Sequence, residues 1–281
     1  MFRKTFGCGS LIAVFFVTIA IILVGGYFAF TNYISPYLNN ADVQELYQIY
    51  VELSKSVNEA DLVTNAPLTA DYDNAKQSLL TGGIDIFNEY GDIDPSKIEE
   101  SNFIPESSII LSDKELASLI NAFIENPLNL EKVGINPNDV GGLNTEVLEV
   151  NIEEININTI NLSFVVKLDM TQIKNQLGFF GFFIPNELYL TNRNTLNYEN
   201  GTYTLESGSI HVNNLPQATN DRMLEILVEA LNENNPELTV ETINKGVGEL
   251  ILRGIQEVSN TFNTSIEFSN GSITFIPNNP I

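Results

Sequence analysis

Ile160-Asn161-Leu162-Ser163-Phe164-Val165-Val166-Lys167-Leu168-Asp169-Met170 decides the fold class of this chain. Ile160, Leu162, Phe164, Val166, Leu168 and Met170 recur at every second position, with Asn161, Ser163, Lys167 and Asp169 between them. Successive side chains of an extended strand point to opposite faces, so this period predicts one buried and one wet face. Such alternation belongs to antiparallel sheets, because parallel strands are buried on both faces and read as continuous apolar runs. Upstream, Leu148, Val150 and Ile152 alternate in the same way. Ile155 and Ile157 then resume on the opposite parity, which predicts a bulge near Glu153-Glu154.

Two Asn-Gly pairs close hairpins downstream. A two-residue loop at Asn200-Gly201 sets Tyr198 opposite Tyr203 and Leu196 opposite Leu205. The same loop at Asn270-Gly271 sets Phe268 against Ile273 and Ile266 against Phe275. Both registers gather apolar residues on one face, so turn chemistry and hydrophobic pattern agree.

Between the hairpins the period changes to that of a helix. Residues 221–234 carry Leu224, Leu227, Val228 and Leu231 on one stripe. Residues 240–262 carry Ile243, Val247, Leu250, Ile251, Ile255, Val258 and Phe262. Gly246, Gly248 and Gly254 weaken that helix by ~1 kcal/mol each relative to alanine and also permit close approach to another surface. An earlier helix begins at the capping box Ser112-Asp113-Lys114-Glu115 and continues with Leu116, Leu119, Ile120 and Phe123. The expected architecture is α+β: a curved antiparallel sheet wrapped on one or two long helices, spanning residues 107–281. Residues 31–106 combine helical pattern with Gly- and Pro-interrupted acidic sequence and read as a helical, partly irregular stalk.

The amino terminus reads as a membrane anchor. Residues 11–30, LIAVFFVTIAIILVGGYFAF, carry no charge and span about 30 Å as a helix, the thickness of a hydrocarbon core. Arg3 and Lys4 precede the run and the next basic residue is Lys55, which keeps the tail at 1–10 cytoplasmic and the remainder outside. Tyr27-Phe28-Ala29 fits the small-x-small cleavage pattern poorly, which favours an uncleaved single-pass anchor in the cell membrane. Cys8 stands before the apolar run, not after it as a bacterial lipoprotein requires, and reads as a small buried thiol.

Composition removes several chemistries. The 281 residues hold 13 Lys+Arg against 36 Asp+Glu, a formal charge of −23, which cannot build the cationic face that nucleic acid requires. One cysteine and one histidine exclude an internal disulfide and a Cys/His zinc site. His211 follows Ile210 and precedes Val212, on the polar face of a strand, without a nucleophile motif beside it. Asp92-Ile93-Asp94 and Asn136-Pro137-Asn138-Asp139 supply oxygen atoms but not the twelve-residue calcium loop. No catalytic residue, metal or cofactor is expected.

The stretch Gly178-Phe179-Phe180-Gly181-Phe182-Phe183-Ile184-Pro185 reads in two ways. It is either a loop folded under the core or an apolar rim that meets lipid or a protein partner. Four Asn-x-Ser/Thr sequons occur in a chain rich in asparagine, and chance accounts for them.

The order of these parts resembles the YpmS-like family of single-anchor proteins from Gram-positive bacteria. The resemblance rests on the basic tail and anchor, the capped helix Leu111-Ser112-Asp113-Lys114-Glu115-Leu116-Ala117-Ser118-Leu119-Ile120-Asn121, the alternating strands, Ile184-Pro185 and the final long helix with strands. Residues 107–277 are also similar to bacterial relatives of the tubular lipid-binding (TULIP) proteins, whose folds wrap a curved sheet around a long helix to leave an apolar groove. That resemblance implies lipid or another apolar ligand between sheet and helix. Its expected lining is Phe164, Val166, Leu168, Ile251, Ile255 and Val258, with Phe179, Phe180, Phe182 and Phe183 at an entrance. The alternative expectation is a cell-envelope scaffold that binds protein through its acidic surface and phenylalanine loop.

Overall fold

The computed structural model describes residues 40–100, 103–125, 144–176, 185–232 and 239–278. The expected tail at 1–10, the anchor at 11–30 and the four phenylalanines Phe179, Phe180, Phe182 and Phe183 lie outside the described residues. Among the described residues no helix is long and apolar enough to cross a membrane.

Helices α1 (Asn40–Leu53), α2 (Thr69–Thr81) and α3 (Pro95–Glu100) precede β1 (Ile109–Ser112) and α4 (Asp113–Ile124). Four long strands follow: β2 (Asn144–Asn156), β3 (Thr159–Asp169), β4 (Glu187–Glu199) and β5 (Thr202–Val212), with α5 (Thr171–Gln176) between the second and third of them. The chain continues with α6 (Gln217–Asn232), α7 (Val240–Thr261), β6 (Thr264–Ser269) and β7 (Ser272–Pro277). The class is α+β, as the alternation predicts, but the sheet is not single. Strands β2-β3-β4-β5 form one antiparallel sheet and β1-β7-β6 a second. The short β1, next to the capped helix, supplies the edge that makes the last hairpin three-stranded.

Both hairpin registers follow the sequence reading: Tyr198 opposes Tyr203, Leu196 opposes Leu205, Phe268 opposes Ile273 and Ile266 opposes Phe275. At the first turn Asn200 and Gly201 both take positive φ, 53° and 83°. At the second only Gly271 does, at 72°. Register shifts in β2 fall at Leu148 and Ile155. Ile155 and Ile157 are exposed, 50 % and 89 %, because the second shift places them at the solvent end of the β2–β3 hairpin instead of on a buried face.

The stalk expected over 31–106 is corrected for its later part. Leu79, Ile84, Ile86, Phe87, Ile93 and Phe103 are buried in the same core as β3 and α7. The segment between α2 and β1 has few periodic residues, yet Ile84, Ile86, Phe87, Ile93 and Phe103 within it are all buried. A separate strap, residues 54–68, crosses the outer face of the four-stranded sheet. There Val57, Leu62 and Val63 pack on Leu148, Val165 and Tyr189. Val165, the residue that interrupts the wet side of β3, is buried by this strap.

Asparagine amides finish both edges of the four-stranded sheet. An unpaired strand edge invites association, and a carboxamide offers the same donor and acceptor as a peptide group. On β2, Asn121 of α4 accepts the Val147 N–H at 2.7 Å and donates to its carbonyl at 2.8 Å. On β5, Asn220 of α6 accepts the Val212 N–H at 3.0 Å and donates to the Ile210 carbonyl at 2.9 Å. Leu224 and Val228 of α6 are buried; the side chains of Leu227 and Leu231 lie outside the described residues.

Candidate functional site

A cavity of about 80 Å³ lies where the two sheets, α2, α4 and α7 meet. Phe164 of β3, Ile255 and Val258 of α7 and Phe262, which caps the carboxyl end of α7, form its floor, and Leu111, Ile273 and Phe275 of the three-stranded sheet one wall. Leu79 of α2 joins Ile86 and Ile93 of the following loop on another side. The apolar stripe of α4, Leu116, Leu119, Ile120 and Phe123, completes the enclosure. Every lining residue is hydrocarbon or aromatic.

Local structure explains how these residues converge. Period two brings Phe164 to the inner face of β3, and spacings of three and four bring Ile255, Val258 and Phe262 to one side of α7. The α4 stripe is aimed by its capping box. Glu115 N–H donates to Ser112 Oγ at 3.2 Å, and Ser112 N–H donates to the Glu115 carboxylate at 2.7 Å. Aromatic rings then fix the floor: Phe262 meets Phe103 edge-on at 5.4 Å and Phe275 at 6.0 Å between centroids.

Of the expected lining, Phe164, Ile255 and Val258 border the cavity. Val166, Leu168 and Ile251 are buried in the same core but are not among the cavity-lining residues. The sequence reading missed Leu79, Ile86 and Ile93, which it assigned to the stalk, and did not count the α4 stripe as lining. That stripe was the available signal, since four apolar residues at helical spacing must face some apolar surface.

The polar clusters lie elsewhere. Lys167 of β3 donates to Glu59 of the strap at 2.8 Å and pairs with Glu187 at 3.2 Å. The single proton of the Tyr189 hydroxyl is shared between the same two carboxylates, at 2.8 Å from Glu59 and 3.1 Å from Glu187. These bonds raise the Lys167 ammonium and hold Glu59 below the usual carboxylate range. Burial, followed by the two carboxylates, pushes the Tyr189 phenol up to about 12.

A second group fastens the strap to β2 and α4. Glu149 accepts the Thr64 N–H at 2.6 Å and the Thr64 hydroxyl at 3.0 Å. Asp113 accepts Asn65 Nδ2 at 3.1 Å. Burial, with the Glu149 charge nearby, pushes the Asp113 carboxyl upward against the bonds from Lys114 N–H and Asn65. Neither carboxylate lines the cavity. His211 lies within 3.3 Å of the Leu215 carbonyl through Nε2, a local bond within one connection. Among the described residues no three of His, Cys, Asp or Glu gather as a metal site.

The arrangement offers apolar volume without a polar anchor. Comparison of the sequence with models of known families and with curated proteins finds no match.

Proposed function

We propose that this chain is a non-enzymatic binding protein of the cell membrane, anchored through residues 11–30 with its domain outside, that takes lipid or another apolar ligand between sheet and helix. The observation that carries this reading is the wholly apolar cavity bounded by Phe164, Ile255 and Val258 on one side and by α4 on the other. Small-molecule sites are concave and mostly apolar, with few polar groups. The YpmS-like and TULIP-like resemblances point the same way. At about 80 Å³ the cavity is smaller than the ~150 Å³ apolar void that takes one benzene, so a chain of several carbons enters only as the walls part.

Lipid extraction tests the proposal. The full chain is purified in an amphipathic polymer beside Val258→Phe, which adds an aromatic ring at the cavity floor. Mass spectrometry of the organic extract is expected to find a stoichiometric apolar molecule with the natural chain and less of it with Val258→Phe. Equal lipid content in the two, or no lipid in either, overturns the reading.

A further inference from the structure

The cavity is closed unevenly. Leu79, Ile86, Ile93, Phe164, Ile255 and Ile273 are buried, whereas Leu116, Leu119 and Ile120 are only partly so. All three partly exposed lining residues belong to α4, so this helix is the wall whose cavity-facing side chains themselves reach solvent. The other walls are strands held in ladders, the long helix α7, and α2 with the loop after it that carries Ile86 and Ile93.

Helix α4 is fastened at few polar points. Asn121 clips it to the Val147 peptide group of β2. At its amino end Asp113 accepts Asn65 Nδ2, and the Asp113 N–H donates to the Gly271 carbonyl at 3.0 Å. The apolar side chains between these points face the cavity, where an incoming hydrocarbon would replace their packing. Ala117, Phe123 and Ile124 of α4 are buried in the shared core, so its opening is a local excursion that moves these side chains as well as the polar fastenings.

We propose that α4 is the gate of the cavity, a wall that swings from its β1 end when the Asn121 amide releases Val147. The proposal rests on the binding reading above and adds the route by which a ligand enters. An apolar molecule then need not cross β3 or α7; it passes under Leu116, Leu119 and Ile120, and the amide pair recloses behind it.

Hydrogen exchange on the full chain in an amphipathic polymer tests this with Asn121→Ala and, as a control, Asn220→Ala. The control removes the matching amide from the opposite sheet edge, away from the cavity lining. Asn121→Ala is expected to speed exchange of α4 amides about tenfold while β3 keeps its protection, and Asn220→Ala to leave α4 unchanged. The uncharged fluorophore phenylnaphthylamine is the ligand probe. It is expected to slow exchange over residues 255–262, and to do so sooner in Asn121→Ala than in the natural chain. Parallel loss of protection in α4 and β3, or equal effects of both variants on α4, overturns the gate. Probe protection gained at one rate in all three proteins overturns the gate alone. Absence of probe protection in every protein overturns the binding reading and any gating role with it.

Discussion

Gly248 of α7 lies so close to Asn194 of β4 that a Cβ at 248 would stand 2.5 Å from Asn194 Oδ1 and 2.8 Å from the Leu205 methyls. Asn194 is 2 % exposed, and its Oδ1 has no hydrogen-bond partner among the described residues. Gly246, two residues earlier on the same helix, has nothing within 4 Å of the equivalent position. Alanine gains ~1 kcal/mol over glycine in a helix interior, while forcing a group into a packed contact costs ~1–3 kcal/mol. Gly246→Ala is therefore expected to raise the urea midpoint of unfolding, and Gly248→Ala to lower it. Shifts of the same sign would contradict the packing argument.

The Tyr203 side chain joins the two sheets. Its ring meets Tyr198 at 4.7 Å and Phe268 edge-on at 4.9 Å, and its hydroxyl accepts the Phe268 N–H at 3.1 Å. Tyr203→Phe removes only the hydroxyl and is expected to cost about 1 kcal/mol. Tyr203→Ala also removes the ring and is expected to cost about 3–5 kcal/mol. Denaturant unfolding checks both. Equal losses from the two variants would place the whole contribution in the hydrogen bond and none in the aromatic contacts.

Local chemistry was readable where one residue dictates its neighbours. Asn200-Gly201 dictates the Tyr198–Tyr203 register, and the alternation through Phe164 with the helical spacing of Ile255 and Val258 was enough to bring those three residues to one core. Leu79 was not readable, because it belongs to α2, a helix with only two buried residues, too narrow a stripe to name the surface it meets. Ile86 and Ile93 were not readable, because the segment between Gly82-Gly83 and Pro95 has no period that assigns it a face. Its partners lie on β7 and α7, remote in sequence. The amides of Asn121 and Asn220 were equally silent. An asparagine on a helix reads as a polar surface residue until the fold sets a bare strand edge beside it. The division into two sheets escaped for a related reason: β1 has four residues and one exposed isoleucine, Ile110, too little pattern to register as a strand.

Asp113 carries a pH dependence of unusual sign for a carboxylate. Its folded-state pKa lies above the ordinary value, chiefly through burial, with the Glu149 charge adding to it. A raised carboxyl pKa means that the folded chain binds the proton more tightly than the unfolded chain, so ionisation of Asp113 lowers stability as pH rises through that range. Asp113→Asn keeps an oxygen for the Lys114 N–H and removes the charge. Its thermal midpoint relative to the natural chain is expected to be higher at neutral pH, with the advantage fading in acid as Asp113 itself becomes protonated. A constant difference at all pH values would show that titration of Asp113 contributes nothing.

Glu59 has the opposite sign and controls the strap. The Lys167 ammonium, followed by the Tyr189 hydroxyl, holds its carboxyl below the ordinary value of 4.5. The unfolded or released strap therefore takes up a proton first, and the stabilisation present above pH 4.5 is lost as pH falls through the lowered folded value. Both side chains are partly solvated, so salt also weakens the pair. Amides of residues 57–65 are expected to lose exchange protection in acid, after correction for the intrinsic rate, before those of β3 do. Glu59→Gln should show weaker strap protection at neutral pH and a flatter acid response, since the titrating partner of Lys167 and Tyr189 is gone. An undiminished acid step in that variant would show that titration of Glu59 does not control the strap.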